Sequence, residues 1–71
     1  MERAILLGGP LHGREMQHAP AVGIRINESG ATHYYKFKRG LASHGLTVYV
    51  YDKASEDEAD RLVAEWASAN L

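Results

Sequence analysis

Four histidines, four serines, a glycine-rich loop and a basic, tyrosine-flanked stripe are the parts of this 71-residue chain equipped for chemistry. His12, His18, His33 and His44 show none of the i, i+2 or i+4 spacings that close a metal site. No cysteine is present to join them. That is the pattern of scattered surface and loop histidines rather than of a zinc ligand set. Ser29, Ser43, Ser55 and Ser68 fall in turns, at a helix cap or near a helix end, and none sits in a nucleophile elbow. No catalytic residue, cofactor site or metal site is assigned, and the chain reads as a non-enzyme.

The stretch Gly8-Gly9-Pro10-Leu11-His12-Gly13-Arg14 is the most distinctive. Three glycines expose backbone N–H groups, and His12 and Arg14 could hold an anion, which makes Gly8, Gly9, His12, Gly13 and Arg14 a candidate small-ligand loop. No helix follows and no Gly-Lys-Ser/Thr is present, so it is not a P-loop. The competing reading is a β-turn whose glycines serve geometry alone.

The stripe Tyr34, Lys36, Lys38, with Arg39 and Arg25 near it, combines a stacking ring with cations, as a single-stranded nucleic-acid platform requires. The alternative is the solvated face of a strand, where lysine also discourages edge-to-edge aggregation. Tyr49 and Tyr51 alternate with Val48 and Val50. With the valines turned toward a helix, the two tyrosines lie outward beside Tyr34, and tyrosine is enriched at interfaces. The candidate interaction surface is therefore Tyr34, Lys36, Lys38, Arg39, Tyr49 and Tyr51. Its rival is a second core layer enclosed by a curling sheet.

These residues must be positioned by short strands. Apolar runs and period-two alternation predict strands over about 3–7, 14–18, 21–27, 32–39 and 46–52 within a single domain, 1–71. Strict alternation puts His33, Tyr35, Phe37 and Arg39 on one side and Thr32, Tyr34, Lys36 and Lys38 on the other. From about 56 to 70 the period changes. Ser55 stands three residues before Glu58, the spacing of a capping box. Acids at 56, 57 and 58 occupy the first turn, where the helix dipole favours negative charge. Ala59, Leu62, Val63, Trp66 and Ala67 then form one helical face, with Trp66 as its expected anchor. The fold class is α+β: a small antiparallel sheet, curled and about five-stranded, with one C-terminal amphipathic helix across it. A meander is the expected strand arrangement.

Hydrophobic residues make up 45% and charged residues 24%, an ordinary globular composition that argues against a disordered chain. The net charge of −1 hides an asymmetry. Residues 1–53 carry seven Lys/Arg against four acids, a net +3, whereas residues 54–71 carry Arg61 against five acids, a net −4. The basic part is suited to an acidic partner. No apolar run approaches the ~20 residues of a membrane span. The short apolar start lacks the long apolar region of a signal peptide, so a cytoplasmic location is expected. A core of this size rarely yields more than roughly 3–5 kcal/mol, and no disulfide can staple it. Self-association or a protein partner is the expected supplement, with nucleic acid as the alternative partner and no membrane contact.

Ala4-Ile5-Leu6-Leu7-Gly8-Gly9-Pro10-Leu11-His12-Gly13-Arg14, the Pro20 break, His33-Tyr34-Tyr35 and Val48-Tyr49-Val50-Tyr51 together resemble a group of short uncharacterised proteins from bacteriophages of actinobacteria. Members of that group begin with a strand, a Gly-Gly-Pro-x-x-Gly-Arg turn and a second strand, and they end with a Tyr-rich strand. The resemblance covers the first three-quarters of the chain and omits the acidic helix. It implies a phage-encoded, non-enzymatic accessory protein of the host bacterial cytoplasm or the virion, and it carries over no active-site residue. The expectation is a protein–protein interaction module, self-associating as a homo-oligomer.

Overall fold

A computed structural model describes residues 2–71. The strands are β1 (Glu2–Leu7), β2 (Glu15–His18), β3 (Gly23–Glu28), β4 (Ala31–Leu41) and β5 (Leu46–Tyr51), and α1 (Glu56–Asn70) follows. Short 3-10 turns occupy Gly9–Leu11 and Ala42–His44. The fold is the expected α+β type: a curled five-stranded sheet with one C-terminal helix. Among the described residues no helix is long and apolar enough to cross a membrane.

Strand order is β2-β1-β5-β4-β3, so the sheet is not a meander. β5 inserts between the two hairpins and runs parallel to β1, while the other three pairings are antiparallel. The sheet is therefore mixed rather than wholly antiparallel. The reason lies in β1 and β5 themselves. Ala4–Leu7 and Leu46–Val50 are buried without alternation, as strands covered on both faces must be. Such strands belong in the centre, and the half-exposed β2 and β3 take the edges.

The curl follows from a short connection. Five Cα steps separate His18 from Gly23, a reach of at most about 18 Å. Those residues end strands on opposite edges of the sheet, which would stand about 19 Å apart if it were flat. The edges must bend toward each other. Ala21 N–H donates to the Tyr49 hydroxyl (3.2 Å), which fixes the connection across the concave side. At the other end of the edges, Arg14 donates from both terminal nitrogens to the Glu28 carboxylate, with Nη2–Oε1 at 3.0 Å. That bond holds the Glu28 carboxyl below the usual carboxylate range.

Two apolar layers result. On the convex side, Ile5, Leu7, Leu46, Val48 and Val50 meet Ala59 and Val63 of α1. On the concave side, Ala4, Leu6, Ile24, Tyr35 and Tyr49 close around Leu11. Ser55 Oγ accepts from Glu58 N–H (3.2 Å), the N-cap half of the expected capping box. Ala59 and Val63, not Trp66, are the helix residues fully buried against the sheet; Trp66 packs half-buried at the margin. Small side chains there let the helix approach β1 and β5 closely, and the indole is left over the rim.

Candidate functional site

The expected aromatic surface does not exist as a unit. Tyr49 has no solvent exposure and belongs to the concave core. Tyr51 is half-buried beside Tyr35, with ring centroids 5.4 Å apart. Tyr34 alone of the three is exposed, at 37%, and it lies on the opposite face. The second core layer is the arrangement adopted, because the curl gives the inward tyrosines enough neighbours to cover them.

The glycine-rich loop is likewise turned to structural use. Leu11 N–H donates to the Tyr35 hydroxyl (2.9 Å), which in turn donates to Gly8 C=O (2.6 Å). Gly8 N–H is taken by His12 Nδ1 (2.7 Å), and Gly13 N–H by Leu6 C=O (2.7 Å). Arg14 is committed to Glu28. Gly9 has φ +65°, and a Cβ there would fall 2.5 Å from Tyr51 Cγ, so this residue lies directly on the ring. Leu11 is the buried plug of the concave core, and the loop is the lid that carries it. The N–H groups of Gly8, Leu11, His12, Gly13 and Arg14 are all taken by acceptors of the protein itself, which leaves no anion cradle of the kind three free N–H groups would build. Among the described residues no three His, Asp or Glu side chains are gathered as metal ligands.

What the structure does assemble is the basic stripe. Lys36 pairs with Val50, whose side chain is in the convex core, so Lys36 takes the convex side as well. Tyr34, two residues away, shares that side, and Arg25 sits directly opposite Tyr34 on β3. Arg39 corrects the strict alternation. A bulge between Phe37 and Arg39 brings Arg39 opposite Val48, on the same side as Lys36. An extra residue in one strand reverses the parity beyond it, so four cations and one tyrosine share a face.

Helix α1 rests on β1 and β5, and the convex side of β3 and most of β4 faces outward. The phenol end of Tyr34 lies across Gly23, and any Cβ at that position would collide with it. A glycine in an alternating stretch, here at the start of β3, is the sequence signal for such a close approach. The ring is thereby laid along the sheet with Arg25 and Lys36 on either side.

Lys38 is the one cation of the set that is already engaged. Its ammonium bridges Asp60 (2.8 Å) and Glu56 (3.1 Å), which hold it above the ordinary lysine range. Arg25, Lys36 and Arg39 make no ion pair among the described residues, although α1 carries five acids. Between β4 and α1 runs a groove of about 370 Å³ lined by Lys38, Arg39, Asp60, Val63 and Ala64. The surface thus combines unspent positive charge, one accessible ring and an extended, shallow track. No family model, curated protein or solved structure matches the chain.

Proposed function

We propose that this protein is a small non-catalytic binding module that takes single-stranded nucleic acid on the convex face of β3 and β4. The carrying observation is the coincidence of Tyr34 with Arg25, Lys36 and Arg39, three cations left without acidic partners on one uncovered face. Phosphates answer the cations, and a base answers the ring, because every base has a π-face whatever its sequence. Lys36 and the two arginines supply the charge, and Tyr34 supplies the stack. The phage accessory role, in host cytoplasm or virion, is proposed on the resemblance of the Gly8–Arg14 and Tyr-rich segments.

The test is fluorescence anisotropy with a labelled oligothymidylate at several salt concentrations. Tyr34→Ala is expected to weaken binding by about 1–3 kcal/mol, the usual worth of one stacked base. Lys36→Ala should lower the slope of log affinity against log salt by about 0.7, one phosphate contact on a single strand. Binding that ignores both substitutions, or that shows no salt dependence, removes this reading.

A second reading, protein–protein contact through self-association, draws on a different feature. Val22 is 86% exposed and Phe37 50% exposed. Phe37 N–H donates to Val22 C=O (2.9 Å), making the two cross-strand neighbours at one end of the β3–β4 hairpin. Light scattering over a dilution series should then show a dimer that Phe37→Ser converts to monomer. A monomer at every concentration ends that reading.

A further inference from the structure

The acids of α1 are not spread evenly about the cationic track. Glu56 and Asp60 border it, one helical turn apart, and both reach Lys38. Glu58 and Glu65, seven residues apart, fall on the other flank, where Glu65 borders a separate groove with His12 and Leu62. One flank of the helix therefore stands beside the track as an acidic step. The groove of about 370 Å³ separates that step from Arg39.

Resting on the nucleic-acid reading above, we infer that Glu56 and Asp60 make the site selective, admitting a single strand to the cationic face and turning a duplex away. A single strand can lie along β4 with its phosphates on Arg25, Lys36 and Arg39 and one base on Tyr34. A duplex carries one charge per 1.7 Å of axis, twice the density of either strand. Its second strand comes against the carboxylates of α1. Lys38 relieves that repulsion only in part, because one ammonium shared by two carboxylates leaves the group with a net charge of −1. Discrimination by a repulsive element of this sort needs no added contact to the preferred ligand.

The experiment compares the wild type with a Glu56→Gln/Asp60→Asn double variant by anisotropy, using a labelled single strand and a duplex of equal length at low ionic strength. Two unit repulsions at about 6 Å in water amount to about a factor of ten. Duplex affinity should rise by about that much in the double variant and single-strand affinity by less, since the freed Lys38 serves both probes alike while the lost carboxylates faced only the second strand. Glu58→Gln/Glu65→Gln makes the same change in net charge on the far flank and should leave the preference for single strands intact. Equal gains for both probes, or the same narrowing of preference in the far-flank control, overturns the selectivity role while the binding reading stands. Failure of the wild type to bind the single strand at all overturns both. Thermal melts of each variant confirm that the compared proteins are folded.

Discussion

Gly9→Ala is expected to leave this domain largely unfolded at physiological temperature, while Gly13→Ala leaves it folded. Both glycines have positive φ, +65° and +86°, so both substitutions meet the backbone penalty of about 1–2 kcal/mol that a side chain incurs in the left-handed region. They differ in what the new methyl group touches. At Gly13 nothing lies within 4 Å. At Gly9 the methyl meets the root of the Tyr51 ring, with Cγ at 2.5 Å and both Cδ atoms at 2.7 Å. That is no loose side-chain end that can swing aside, since the ring is packed on Tyr35. Overpacking of this kind costs about 1–3 kcal/mol more. The total for Gly9→Ala, about 2–5 kcal/mol, is most of the roughly 3–5 kcal/mol such a domain has. At about 4–8 °C per kcal/mol for a domain of this size, the melting temperatures of the two variants should differ by at least several degrees. Coincident melting curves would show that the turn yields and that Gly9 is not a fixed point of the fold.

The same two residues show what the sequence made legible. A turn at Gly8–Arg14 is readable from composition, and so is the capped acidic helix, because both depend on contacts only three or four residues apart. The purpose of the turn is not readable. It depends on Tyr35 and Tyr51, more than twenty residues away, and period-two alternation assigns those residues a parity without saying which face is closed. Reading Tyr49 as an outward residue assumed that one covered face is all a sheet needs. The four-residue connection from His18 to Gly23 bends the edges together and makes the concave face a core as well. The unbroken apolar runs of β1 and β5 did carry the signature of central strands, and taken together they argue for the parallel β1–β5 pair.

The candidate site was legible in a different way. Tyr34, Lys36 and Lys38 follow alternation, and the structure puts them on one face as expected. Arg39 joins them only through the bulge at Phe37–Arg39, a backbone irregularity that residue types near it do not announce. Lys38 looked equivalent to Lys36 until the helix acids came within reach of it. The +3 and −4 halves of the chain do meet, through that one side chain, and Arg25, Lys36 and Arg39 are left unmatched among the described residues.

Tyr35→Phe should be nearly as damaging as the alanine at Gly9, though it removes one atom and adds none. The Tyr35 hydroxyl accepts from Leu11 N–H and donates to Gly8 C=O, so among the described residues it is the only side-chain hydrogen-bond tie between the lid loop and β4. Leu11 is itself buried, and its amide finds no other acceptor among the described residues. A buried donor left unpaired costs about 1–3 kcal/mol. Gly8 is half-buried, and its carbonyl can turn to water at smaller cost, so a total of about 2–4 kcal/mol is expected. Tyr49→Phe is the control, since that hydroxyl takes a single longer bond from a part-buried amide, worth about 0.5–1.5 kcal/mol. Denaturant midpoints give the two losses, and hydrogen exchange at Leu11 locates the first. Alkali supplies an independent check. Burial pushes the Tyr35 phenol above its ordinary value of 10.0, so the folded state favours the protonated ring. That contribution is complete below pH 10 and is lost as the pH rises through the folded-state value. Tyr35→Phe should therefore lower stability at neutral pH yet lose less of what remains on going to strong alkali. Equal midpoints for Tyr35→Phe and Tyr49→Phe, with Leu11 still protected, would mean that the lid is held by Leu11 packing alone and that the hydroxyl is incidental.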